Sequence, residues 1–199
     1  LHDFSEDGSL HISCGDHRLM YDEIPGVLWV PDQVFTAGSW GYTGGEAYTV
    51  KTRHGTKPSS DVDITGTQAD PVYQTQRVAP EMYRFTVPVG EYEVILLFSE
   101  LNADNGTKLV YNLGDDPVPG IEELRVFGVS INGERVIDSL NIRSETGVFS
   151  ALEKSFNVLV GPGNQLEILF HPVIGKPVIS GIVIRDFHGN ESLLRFYVQ

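Results

Sequence analysis

An all-β fold, an antiparallel β-sandwich of jelly-roll type, is what this chain predicts, and three observations predict it. Short runs of β-branched and aromatic residues recur along the chain, each ended by Gly, Pro or Asn; such alternating or briefly continuous apolar runs mark strands. No window of a dozen residues keeps the period of an amphipathic helix. Hydrophobic residues make up 41% of the 199 and charged residues 21%, enough to bury a core without cross-links. One domain over residues 1–199 is expected, with a core over about 10–185 and a C-terminal extension over 186–199.

The elements follow in order. "AGSWGYTGGEAY", Ala37 to Tyr48, sets three large aromatics among four glycines. Glycine loses the most backbone freedom on ordering, so this stretch is expected to be a loop. A long polar connection then runs from Lys51 to Pro71. "YRFTVPV" (Tyr83 to Val89) alternates, Gly90 supplies a tight turn, and "EYEVILLFS" (Glu91 to Ser99) is nearly all apolar at its centre. A second long connection spans Leu101 to Arg125; unstructured connections of such length inside a domain are usually functional or disordered. "RVFGVSI", Asn132-Gly133 and "ERVIDSL" form a hairpin, because both turn residues tolerate positive φ. "SFNVLV", "GPGN" and "QLEILF" (Ser155 to Phe170) are expected as a second hairpin, and "VISGIVI" (Val178 to Ile184) closes the sheet region. Two packed antiparallel sheets accommodate strands of this number and length.

Charge and cysteine content exclude several classes of function. Fourteen Lys and Arg against 27 Asp and Glu leave a net charge of −13, which repels phosphate backbones and anionic membrane surfaces, so no nucleic-acid partner and no membrane insertion are expected. Cys14 is the single cysteine, so an internal disulfide is impossible. No apolar run approaches a membrane span, and "LHDFSEDGS" lacks the basic and apolar regions of a signal peptide.

Catalytic motifs are equally sparse. The chain has no G-x-S-x-G elbow, no H-E-x-x-H and no phosphate loop, and its six histidines show no ligand spacing. Acidic residues are plentiful, and Glu100 with Asp104 is a conceivable pair for glycoside hydrolysis, yet solubility accounts for most carboxylates at this net charge. No cofactor is expected. Asp115, Asp116, Glu122 and Glu123 offer hard oxygen ligands suited to calcium without EF-hand spacing, so a solvated acidic loop is the alternative. Asn105 and Asn190 stand in N-x-[ST] acceptor tripeptides.

Five segments in order, "LHISCG", "PVYQTQR", "VPVGEYEVILLFSEL", "RVFGVSINGERVIDSLNI" and "GKPVISGIVI", resemble the malectin and malectin-like family. The "GSWGYTGG" stretch after Trp29, Asp32 and Phe35 is similar to malectin-type modules appended to bacterial glycoside hydrolases of the β-galactosidase and β-glucuronidase kind. The resemblance implies a β-sandwich whose end loops hold a sugar between aromatic rings. It also implies an extracellular or periplasmic location. Tyr73 matches a sugar-contacting aromatic of the family, and Trp40 or Tyr42 lies where another tyrosine is used. The chain departs from the family where "FSE" is followed by Leu101, Asn102 and Ala103 instead of two adjacent aromatics. It departs again near Gly175, where the family's ligand-contacting aspartate is absent.

The expected site combines these residues. Trp40, Tyr42 and Tyr73 would give faces to a sugar's C–H groups, while Gln74, Arg77, Glu100 and Asn102 would bond its hydroxyls. Two alternatives stand beside this: the aromatics fold back as a plug at the end of the sandwich, and Arg77 serves a buried carboxylate. The chain is therefore read as a noncatalytic module that binds oligosaccharide or polysaccharide and tethers a catalytic domain of the same parent chain. The alternative is a structural spacer that has lost its sugar site or that lends its Leu101 to Arg125 loop to the parent's active site.

Overall fold

Residues 9–22, 26–102 and 125–186 are described by the computed structural model. In chain order the elements are β1 (Leu10–Ser13), β2 (Met20–Tyr21), β3 (Leu28–Pro31), β4 (Trp40–Thr43), β5 (Glu46–Ala47), β6 (Val50–Thr52), β7 (Gly55–Lys57), α1 (Asp70–Tyr73), β8 (Arg77–Val78), β9 (Met82–Thr86), β10 (Gly90–Phe98), β11 (Val126–Ile131), β12 (Glu134–Leu140), α2 (Ile142–Thr146), β13 (Leu152–Val160), β14 (Gln165–Ile174), β15 (Val178–Ile179) and β16 (Gly181–Asp186). One sheet runs β13-β10-β16-β1-β3-β2 and faces a second, β12-β11-β14-β9-β4. Two small sheets, β15-β8-β5 and β6-β7, complete the fold. The all-β antiparallel sandwich expected from sequence is present; among the paired strands described, β1 and β3 run parallel.

Alternation along the strands builds the core. Val94, Leu96 and Phe98 of β10, Ile182 and Ile184 of β16, and Leu10 and Ile12 of β1 meet Tyr83, Phe85, Phe127, Val129, Leu166 and Ile168 from the facing sheet, all buried. Burying alternate residues of two sheets supplies most of the driving force for such a sandwich. The central run of β10 is apolar at consecutive positions because its other face is also covered. Leu97 belongs to a second cluster with Trp29, Ile64, Val72, Tyr73 and Val183, against which Ile95 packs.

Helix α1 is the cover. It is a single turn with Pro71 in its first positions, where proline's missing N–H costs no helical bond. Gly181 admits it to the sheet: a Cβ there would stand 2.9 Å from Val72 Cγ1 and 2.9 Å from Leu97 Cδ1. Below the helix, buried Gln76 donates from Nε2 to the carbonyl of Ser99 at 2.5 Å, and Ser99 Oγ donates to the carbonyl of Tyr73 at 2.6 Å. These bonds satisfy backbone groups that would otherwise be buried without partners.

Two expectations are corrected. Ala37 to Tyr48 contains β4 and β5 instead of being all loop. Gly41 is there for close approach, since a Cβ would lie 2.5 Å from the carbonyl oxygen of Gln33, and Trp40 and Tyr42 pair with Phe85 and Tyr83 of β9. Ser155 to Phe170 is not a hairpin: β13 pairs with β10 in one sheet, and β14 pairs with β11 and β9 in the other. The chain likewise changes sheets between β9 and β10. In both cases the turn carries the chain from one sheet to the other, which a strand-turn-strand pattern does not distinguish from a hairpin. The β11–β12 hairpin forms as expected, with Asn132 at φ 48° and Gly133 at φ 83°. Within the connection after Lys51, β6 and β7 pair, and Thr65 bridges to Ser150. The acidic loop with Asp115, Asp116, Glu122 and Glu123, the two Asn acceptors and the extension from 187 lie outside the described residues.

Candidate functional site

One rung of side chains crosses the whole outer face of the six-stranded sheet. Register places Ser155, Ile95, Val183, His11, Trp29 and Met20 side by side, one from each strand. Residues 66–69 and Tyr73 of α1 stand beside this floor, and between them lies a groove of about 820 Å³. A smaller cavity of about 260 Å³ adjoins it and shares Asp22, Trp29, Gln68 and Ala69. Volumes of this size suit small ligands.

Polar groups are fixed around the apolar floor. Trp29 Nε1 donates to Asp22 Oδ2 at 2.8 Å, and the ring of Trp29 meets the ring of His11 edge-on with centroids 4.9 Å apart. Nε2 of His11 lies 2.7 Å from Ser9 Oγ. On the far edge, on β13, Glu153 Oε1 accepts from the Tyr73 hydroxyl at 2.8 Å. Burial, and then this bond, push the Tyr73 hydroxyl well above the ordinary tyrosine range, so it remains a donor. Arg185 Nη1 lies 3.5 Å from Glu93 Oε2, and Glu93 also accepts from Ser155 Oγ at 2.8 Å. The groove thus offers an apolar floor for C–H faces and carboxylates at opposite edges of the sheet as acceptors.

The seven residues expected to form the sugar site do not converge on the groove, although Arg77 meets Tyr42 and Glu100 meets Asn102. Tyr73 lines the groove. Trp40 is 3% exposed and lies nearly parallel to Phe85, interplanar angle 12°, so its strand phase turns the ring into the core. Tyr42 has the Arg77 guanidinium 3.7 Å from its ring centroid. Arg77 serves a buried carboxylate: its Nε and Nη2 donate to Asp32 at 2.9 and 2.6 Å, and the Tyr83 hydroxyl donates to the same Asp32 at 2.6 Å. Burial opposes the charge on Arg77, but its bonds to Asp32 outweigh that and hold its pKa above the ordinary arginine value.

Gln74 Nε2 donates to the carbonyl of Val62 at 2.9 Å. Glu100, 1% exposed, pairs with Arg125 Nε at 2.7 Å and accepts from the backbone N–H of Asn102 at 2.9 Å. Arg143 donates to the carbonyl of Asn102. Glu100, Asn102 and Arg125 thereby brace the two ends of the long connection. Among the described residues no group of three or more His, Cys, Asp or Glu could hold a metal ion.

Sequence reasoning missed Asp22, Trp29, His11, Glu153 and Arg185 as groove residues. A usable signal was present: "VILLF" is apolar at consecutive positions, which marks a strand covered on both faces. The residues opposite Ile95 and Leu97 were therefore candidates to line whatever covers them.

Comparison with known proteins agrees with the fold. A beta-glucuronidase of Bacteroides uniformis superposes with a TM-score of 0.72 at 30% identity, covering 90% of this chain and 18% of that one. The extracellular domain of ANXUR2 from Arabidopsis thaliana superposes with a TM-score of 0.62 at 16% identity, covering 87% of this chain and 47% of that one, a likeness of fold alone. The chain thus spans under a fifth of the glucuronidase it resembles and under half of the plant ectodomain. Among curated proteins none matches. The family model of the malectin domain matches residues 9–182, nearly the whole sandwich, and the chain therefore belongs to the malectin family of carbohydrate-binding domains.

Proposed function

We propose that this chain is a noncatalytic carbohydrate-binding module, an accessory to a larger glycoside hydrolase, and that it works outside the cytoplasm. The observation that carries the reading is the groove of about 820 Å³ on the outer face of the six-stranded sheet, with an apolar floor and fixed polar groups at its margins. A sugar needs both, because its C–H faces pack on apolar and aromatic surface while its hydroxyls require partners. Likeness to a segment of a bacterial beta-glucuronidase supports the accessory role. Tethering makes even a weak site useful, since linkage raises the effective concentration of substrate near the catalytic domain. Of the residues expected from sequence, Tyr73 carries over as a contact; Trp40 is assigned to the core.

Burial of Trp40, the commitment of Arg77 to Asp32, and the exposure of Val89 and Leu159, 60% and 70%, favour a second reading as a spacer that packs on its parent. Tryptophan fluorescence separates the two, because Trp29 lines the groove and Trp40 is in the core. Titration of a Trp40→Phe variant with an oligosaccharide panel is expected to give a saturable change that Tyr73→Phe weakens. Silence across the panel, with circular dichroism unchanged, leaves the spacer.

A further inference from the structure

The groove is built across the strands of its sheet, not along them. Its floor and margins come from strands that are neighbours in the sheet: Glu153 of β13, Ile95 of β10, Val183 of β16, His11 of β1 and Trp29 of β3. The smaller cavity shares Trp29, Gln68 and Ala69 with it and reaches Met20 of β2. The wall follows the same line. Thr65 bridges to Ser150 just before β13, and Gln68 and Ala69 stand with Trp29 toward the other edge. We infer, resting on the reading of the groove as a sugar site, that its ligand is the interior of an extended, linear β-1,4-linked glycan, laid across the strands and held along about five units.

Dimensions set the length. Neighbouring strands lie ~4.8 Å apart, so the four spacings from β13 to β3 span about 19 Å, and the fifth, to β2, brings the floor to about 24 Å. An extended pyranose chain advances by about one strand spacing per unit, so each unit meets one strand. A volume of about 820 Å³ exceeds one sugar ring several-fold, and the adjoining cavity extends it by about 260 Å³. Placement of the polar groups argues against recognition of a chain end. An end-binding site converges its polar groups on one unit, whereas here Glu153 and Asp22 stand at opposite edges of the sheet, with Ile95 and Val183 between them. Those two side chains, with the ring of Trp29, offer apolar surface along the line. A β-1,4 chain is a flat ribbon with C–H faces that follow such a floor; an α-1,4 chain coils and leaves it within a few units.

The test is calorimetric titration of the full 199-residue chain with neutral β-1,4 ladders of glucose, xylose and mannose, each from monosaccharide to heptasaccharide, and with the α-1,4 glucose ladder. In at least one β-1,4 ladder the affinity is expected to rise about tenfold from disaccharide to pentasaccharide and to level off beyond it. Reduction of the hexasaccharide's end to an alditol is expected to leave its affinity unchanged. Glu153→Phe, which fills the β13 end of the groove, is expected to weaken the pentasaccharide more than the trisaccharide, with circular dichroism unchanged. A mono- or disaccharide that binds as tightly as the pentasaccharide overturns the inference, as does loss of binding on reduction. So does equal weakening of all lengths by Glu153→Phe, or an α-1,4 ladder that matches the β-1,4 ones. Binding confined to sugars outside the β-1,4 ladders overturns it too. Failure of every ladder and of a broad glycan panel marks a different fault: the sugar reading of the groove itself falls.

Discussion

At Asp32 a single carboxylate holds three elements together, with Arg77 of β8, Tyr83 of β9 and the segment after β3. Asp32→Ala would leave the guanidinium of Arg77 buried without its counter-charge, which typically costs about 3–5 kcal/mol, read as a fall in the urea midpoint. Trp40→Ala removes a ring stacked on Phe85 in the core, and urea unfolding is expected to show a loss of about 3–5 kcal/mol. Tyr73 supplies a pH signature. Its pKa is raised above the ordinary tyrosine range by burial and by Glu153, so the stability it lends is complete below the unfolded value and lost as pH rises past it. Urea midpoints measured between about pH 8 and 11 should therefore fall more steeply for wild type than for Tyr73→Phe.

Elements were legible where local chemistry alone decides them. Asn132-Gly133 fixes its hairpin through backbone conformation, and the alternation of β9 announces a strand buried on one face. Sheet membership was not legible, because β13 and β14 are separated by a turn that reads like any hairpin turn but changes layers. The groove was only half legible. Ile95 and Leu97 announce a covered outer face, but the register that sets His11 beside Val183 joins residues far apart in the chain. The ring of Trp40 was misjudged because four neighbouring glycines suggest a loop, whereas Gly41 serves the contact of β4 with the Gln33 backbone. Helix α1 gives the test at this scale. Gly181→Ala forces Val72 or Leu97 to yield, with an expected loss of about 1–3 kcal/mol. It also displaces α1 from the sheet, so weaker ligand binding should accompany the change.

Across the whole molecule, cooperative unfolding can be read from Cys14. It is fully buried, and its thiol is pushed up by burial and by Asp32, which keeps it out of the reactive thiolate form. Labelling with an aromatic disulfide reagent is expected to be slow in the native state and to accelerate with urea in step with global unfolding; fast labelling in buffer would show instead a local opening of β1. The pairing of β1 with β16 has a mechanical meaning as well. Leu10 lies opposite Ile184, so tension applied through the chain at residues 9 and 186 acts on neighbouring strands at the same end of an antiparallel ladder. Their hydrogen bonds are then loaded one after another, as in opening a zipper, and not sheared together. Under a pulling load the domain is expected to yield first by peeling β1 from β16, a compliant link that gives way at low force before the rest of the core is touched.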